Sequence, residues 1–216
     1  MANKKISDLD AAAPILTDSI ETVVSAVSKR STISQVIHQA LYQEIWLPAD
    51  RFATRVTNGA TAGKVEYVSN YIVLNYYDFD KDTEQAIQTT ITMPSRWDTS
   101  TGIKVRHKWT NGETGGTGGV VWGCRGQALS NSDPIDSAWG TEQIILEAFI
   151  TDGDLHETTQ TPSITIGGTP AAGDLIILEV FRKVAHASDD YNKKARYLGC
   201  WLQYQENVTQ TALWNA

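Results

Sequence analysis

Few side chains in this sequence have the type and spacing that chemistry needs. Asp78-Phe79-Asp80-Lys81-Asp82 sets carboxylates at alternate positions, the opening spacing of a calcium loop, which collects oxygens from alternate residues. The sixth position is Thr83, where that loop turns on Gly, and the twelfth is Thr89, where a bidentate Glu completes the ligand shell. The run is therefore expected to be a solvated acidic turn. Gly112-Glu113-Thr114-Gly115-Gly116-Thr117-Gly118-Gly119 has the glycine density of a phosphate cradle, but such a cradle feeds a helix N-terminus and usually a Lys. Val120-Val121-Trp122 follows instead and reads as strand, so a flexible hairpin tip is expected. His38, His107, His156 and His186 have no ligand spacing on one element, and His107 belongs to an alternating apolar face. No G-x-S-x-G elbow occurs, and Cys124 and Cys200 lie in apolar runs. Glu147 and Glu179, inside strand-like runs, are the only candidates for the paired carboxylates of a glycan hydrolase; they read better as ion-pair partners of Arg or Lys. The expectation is a protein that is not an enzyme, with no catalytic residue, no metal site and no cofactor.

Aromatic residues are the more open question. Of seven tryptophans, Trp109, Trp122 and Trp201 fall in strand patterns and read as core. Trp97 and Trp139 lie in loop-like segments beside Asp98 and Gly140, where an indole either packs the loop or stacks on a sugar face. They are the candidate ligand-facing residues. Leu213 and Trp214, in the tail Ala212-Leu213-Trp214-Asn215-Ala216, are candidates for contact with a neighbouring subunit.

The elements that must hold these residues are strands. Ile103, Val105, His107 and Trp109 alternate with Lys104, Arg106 and Lys108, the period of a half-buried antiparallel strand. Similar runs cover 71–77, 84–93, 119–129, 142–150, 163–166, 174–184 and 196–205, punctuated by Asn58-Gly59, Asn111-Gly112, Asp152-Gly153, Gly167-Gly168 and Ala172-Gly173. Ile144-Ile145-Leu146 and Leu175-Ile176-Ile177-Leu178 are apolar on both faces, as for central strands or strands covered by a neighbouring subunit. The fold class is all-β, an antiparallel β-sandwich or jelly roll over residues 46–216. Residues 1–45 read as a short arm with one strand over 21–27 and one small helix over 33–43, capped by Thr32 with Gln35 three residues on. Such an arm cannot bury its own apolar face and must dock elsewhere.

Composition bounds the function. The 216 residues carry 18 Lys and Arg against 25 Asp and Glu, a net charge of -7, which disfavours nucleic acid and anionic membranes as partners. Hydrophobic residues make up 41% of the chain, ordinary for a folded domain. The N-terminus turns acidic where a signal peptide turns apolar, and no apolar run is long enough to span a membrane. Two cysteines do not make a disulfide framework; they fit maturation in a reducing cytoplasm.

The opening Asn3-Lys4-Lys5-Ile6-Ser7-Asp8-Leu9-Asp10-Ala11-Ala12 resembles the N-terminal segment of tailed-bacteriophage virion proteins, tail-fibre proteins above all. There a Lys-Lys-Ile-Ser-x-Leu-x-x-Ala stretch precedes an acidic-apolar strand and a Ser/Thr-capped helix; Ile20–Val27 and Ser31–Leu41 match that continuation, while Asp10 stands where a Pro usually follows the Leu. The remainder is similar to a phage-associated β-domain in Ile45-Trp46-Leu47-Pro48-Ala49, Tyr76-Tyr77-Asp78-Phe79-Asp80, Met93-Pro94-Ser95-Arg96-Trp97-Asp98, Val120-Val121-Trp122-Gly123, Gly168-Thr169-Pro170-Ala171-Ala172-Gly173-Asp174-Leu175 and Ala195-Arg196-Tyr197-Leu198-Gly199. The resemblance implies a virion structural protein on the particle exterior, made in the host cytoplasm and anchored through Ile6, Leu9, Ile33, Val36, Ile37 and Leu41 of the arm. It implies other virion proteins as partners and, by the habit of phage appendages, a homotrimer. A tail fibre or short appendage is the first expectation, from the arm. A capsid decoration protein is the alternative, from the single compact body without a shaft, and a glycan-binding adhesin that holds host surface glycan is the third.

Overall fold

The computed structural model describes residues 19–24, 27–32 and 41–207, and it divides the chain into two compact units, Met1–Tyr42 and Gln43–Ala216. In the first unit β1 (Ser19–Val24) and β2 (Val27–Thr32) form an antiparallel pair, in register from Ser19 opposite Thr32 to Val24 opposite Val27. This corrects the single strand expected over 21–27: Val27-Ser28-Lys29-Arg30-Ser31-Thr32 is a second strand. A β-branched and polar run paired across a short connection satisfies its backbone locally. Of the expected helix over 33–43, residues 33–40 lie outside the described ones; Leu41 is helical and half-buried, and Tyr42 and Gln43 already belong to a strand. Ile6, Leu9, Ile33, Val36, Ile37, Leu213 and Trp214 also lie outside the described residues.

In the second unit the strands are β3 (Tyr42–Pro48), β4 (Ala53–Thr54), β5 (Thr61–Tyr67), β6 (Ile72–Phe79), β7 (Ala86–Thr92), β8 (Ile103–Asn111), β9 (Gly119–Leu129), β10 (Gln143–Ala148), β11 (His156–Glu157), β12 (Leu175–Arg182) and β13 (Ala195–Gln205). They build two antiparallel sheets. One has five strands in the order β10-β9-β12-β7-β4; the other has six, β11-β8-β13-β6-β5, with β3 also paired to β13. Consecutive strands β8 and β9 lie in different sheets, so the glycine-rich segment between them is an inter-sheet crossover, not a hairpin tip. The expected all-β jelly-roll sandwich is what the chain forms.

The core lies between the sheets. Ile103, Val105, His107 and Trp109 of β8 point into it and Lys104, Arg106 and Lys108 point away, as the period-two pattern requires. Trp122 sits at its centre, with the rings of Phe79, Trp109 and Tyr197 within 6.3 Å of its centroid. Two ion-pair networks, one around a buried arginine and one around a buried glutamate, brace the frame. The Arg182 guanidinium, fully buried at the end of β12, donates to Asp189 and to the carbonyls of Tyr191 and Lys193, so it pins the β12–β13 connection. Glu179, 1% exposed on the opposite face of β12 from the core, receives Arg125 and Arg55 and the Gln88 amide.

Two strands differ from expectation. Ile144-Ile145-Leu146 is not in a central strand: it belongs to β10 at the edge of the five-stranded sheet, with Leu146 exposed in the single chain, which leaves the other alternative, cover by a neighbouring subunit, untouched. Strand β5 escapes a periodicity search because none of its residues is buried, Gly63 and Val65 being only half-buried, so burial sorted them weakly by type.

Candidate functional site

Strand β6 pairs with β13 only from Tyr77 to Phe79, opposite Tyr197 to Ala195. From Tyr76 back to Ile72 it pairs with β5 alone, while β3 takes up pairing with β13. The sheet therefore forks. Gly199 enforces the fork: the β13–β8 register shifts between Tyr197 and Gly199, and Gly199 has φ +138, a region few side chains tolerate. A Cβ there would stand 2.4 Å from the Leu47 carbonyl oxygen, so only glycine lets β3 lie this close.

A groove of about 870 Å³ opens at the fork. One wall is the β5–β6 hairpin, with Tyr67, Ile72 and Leu74; the other is Trp46 and Pro48 at the end of β3; Leu198, Lys108 and the 153–155 segment complete it. Its lining is mainly apolar, with hydrogen-bonding groups at the rim: Asp50 and Asn75, which bond each other at 3.5 Å, Ser69, Asn70 and Asp154. A volume in this range with an apolar lining and a few polar groups is typical of small-ligand sites. Trp46 is half-buried and packs against Trp201, with ring centroids 5.3 Å apart and planes at 52°. That contact supports the ring from within the fold. Trp201, expected in the core, is this outer-face support.

The charges around the groove are positioned by pairing. Lys108 reaches Glu157, which also holds Arg106, and Arg106 bonds Glu44. Beside the groove, Arg196 lies 3.7 Å over the Tyr76 ring and forks onto both Asp78 oxygens. Burial opposes the Arg196 charge, but the bonded Asp78 carboxylate outweighs it and raises the pKa. Gly63, across the strand from Tyr76, leaves room for that ring.

The residues singled out from the sequence lie elsewhere. Trp97 is 1% exposed and packs in the core, so it cannot face a ligand; its loop folds inward when its N–H bonds the Pro94 carbonyl and Asp98 N–H bonds Gln205. Trp139 is half-buried over Arg125, 5.0 Å from the guanidinium, on the outer face of the five-stranded sheet and away from the groove. Asp78 is occupied by Arg196, Asp80 accepts the N–H of Asp82 and Thr83 in its own turn, and Asp82 takes Lys81. In the glycine-rich crossover the backbone N–H groups of Gly115, Thr117 and Gly119 donate to Asp152, Asn192 and Asp190, so the segment is tied down rather than loose. His107 is buried and its pKa falls to about 3 through burial, while Glu147 is raised by partial burial and by Glu157. Cys124 and Cys200 are buried and form no disulfide; burial pushes Cys200 up to about 12, against a hydrogen bond with Tyr197 that favours the thiolate. Sequence reading missed Trp46 and Tyr67. Their signal was faint, a Trp outside the buried register of β3 and a Tyr closing a strand before a Ser-Asn turn.

No protein-family model and no curated protein matches the chain. Among solved structures it is similar to TmCBM61 in complex with beta-1,4-galactotriose, with a TM-score of 0.32 and 8% identity over 76% of this chain and 88% of that one. It is similar to the carbohydrate-binding module TmCBM27, described for specific mannan recognition, with a TM-score of 0.39 and 8% identity over 76% and 99%. A third is the family 11 carbohydrate-binding module of Clostridium thermocellum in complex with a beta-1,3-1,4-mixed-linked tetrasaccharide, with a TM-score of 0.39 and 10% identity over 77% and 98%.

Proposed function

We propose that the body of this protein is a saccharide-binding module and that the fork groove is its site. The observation that carries the reading is Trp46, an aromatic ring packed against Trp201 at the wall of an apolar groove with a polar rim. A sugar ring has an apolar C–H face and a belt of hydroxyls. It needs a rigid flat surface to stack on, and hydrogen-bonding groups around the rim; water bridges complete what the rim does not reach. Asp50, Asn75 and Asn70 supply those rim groups, and Lys108 and Asp154 close the far end. The proposed role is binding without turnover.

The resemblance of the first forty or so residues to tail-fibre N-terminal segments supports display on a tailed phage, with the arm attached to the virion and the groove offered to host surface glycan. Antibody labelling of intact particles tests that placement: label on the tail agrees with it, and label spread over the head would make this a decoration protein.

The binding claim is tested on a glycan array with the full chain, its Trp46→Ala and Tyr67→Ala variants, and Trp139→Ala. The expected result is a saccharide signal that Trp46→Ala weakens about tenfold or more, equivalent to about 1.4 kcal/mol, with Trp139→Ala unchanged. A blank array, or a signal lost with Trp139 and kept without Trp46, would refute the assignment. Circular dichroism of each variant separates a lost ring from a lost fold.

A further inference from the structure

Strand β5 is the outermost strand of the six-stranded sheet among the described residues, and one side of its backbone faces no strand. Its residues are largely exposed on both faces, and Val68, just beyond it, is 78% exposed. Natural proteins cover, twist or charge such an edge, because its unpaired N–H and C=O groups template another strand. This edge carries two charges of opposite sign, Lys64 and Glu66, two residues apart and therefore on one face.

We infer that β5 is an interface between two copies of this chain, which pair antiparallel about a two-fold axis through Val65. The register follows from chemistry. A two-fold normal to the sheet keeps the faces of both copies aligned, so directly opposed residues must share a face. Centring the axis on Lys64 or on Glu66 would set like charges against themselves, which destabilises a cross-strand pair. Centring it on Val65 sets Lys64 opposite the second copy's Glu66, and does so twice. The same register sets the exposed Tyr67 ring opposite Gly63, so exposed apolar surface gains a partner. Two six-stranded sheets become one continuous sheet, and both fork grooves open on the same face of it, since Tyr67 and Ile72 of the hairpin line the groove. Two copies so joined would hold two sites at fixed spacing, the arrangement in which weak sites gain avidity on a repetitive surface. The dimer itself does not depend on what the groove binds.

Sedimentation equilibrium of the full chain over a concentration series tests the inference. The expected species is a dimer in equilibrium with monomer. Lys64→Glu and Glu66→Lys should each raise the dissociation constant about tenfold or more, because each reversal turns both symmetry-related pairs repulsive. The double reversal K64E/E66K restores the opposed charges and should return the constant to within a few fold of the original. Under mild oxidation Val65→Cys should form a disulfide-linked dimer, since opposed residues of an antiparallel pair are within bridging distance, while Thr61→Cys should not. A monomer at every concentration, a trimer, single reversals without effect, or a double reversal no better than the singles would overturn the interface.

Discussion

His107 makes the stability of this sandwich depend on pH in a way that can be computed before it is measured. Its imidazole is fully buried on β8, stacked 6.1 Å from the Trp122 ring, with Nδ1 3.1 Å from the Tyr197 hydroxyl. Burial alone drives its pKa from 6.5 down to about 3. The sign follows from linkage: a base whose folded pKa is depressed binds fewer protons folded than unfolded. Its contribution is intact above the unfolded pKa of 6.5 and is lost as pH falls from there toward about 3. Each pH unit inside that window costs about 1.4 kcal/mol, so lowering the pH from about 7.5 to about 5 should remove about 2 kcal/mol. His156, also buried and depressed, adds in the same direction. Urea unfolding followed by circular dichroism at several pH values gives the slope for the natural chain and for His107→Gln. Carboxylates titrate in both proteins and cancel in the difference. The variant should be less stable near neutral pH and should close on the natural chain by about 2 kcal/mol at about pH 5. Parallel curves over that range would refute the claim that His107 is held neutral by burial.

Two further substitutions probe the frame and the fork. Asp189→Asn leaves the Arg182 guanidinium buried without its counter-charge and should cost about 3–5 kcal/mol in denaturant unfolding, and Arg182→Met combined with Asp189→Leu should not recover it, because it orphans the Tyr191 and Lys193 carbonyls and the Val121 N–H. Gly199→Ala meets the Leu47 carbonyl in a backbone region alanine avoids and should cost at least about 1–3 kcal/mol; because β3 must move away, it should also weaken saccharide binding more than an equally destabilising core substitution such as Val180→Ala.

The two faces of the sandwich were legible in the sequence where burial sorts residue types. Ile103 to Trp109 alternates because alternate residues meet the core and solvent, whereas in Leu175-Ile176-Ile177-Leu178 of the central strand β12 only Ile176 and Leu178 are buried in the core and Leu175 is exposed. Val27–Thr32 was not legible, since its pairing with β1 rests on backbone partners that carry no residue-type signature. The site was hidden for a different reason. Trp97 and Trp139 look alike in sequence, each an indole beside a turn residue, yet one fills the core and the other covers Arg125. Trp46 faces the groove only because β13 bulges at Gly199 and β6 departs from it, a relation among three strands far apart in the chain. Local spacing cannot encode that.

The central claim, that a saccharide stacks on Trp46 in the fork groove, is tested most directly by ¹⁵N–¹H spectra of the tryptophan indoles, assigned by single substitution, during titration with an oligosaccharide selected on the array. The account predicts that the Trp46 indole resonance moves progressively, with Trp201 packed against it moving less, while Trp97, Trp109, Trp122 and Trp139 stay in place. Movement of Trp139 with Trp46 unmoved would place the ligand on the other sheet and contradict the account.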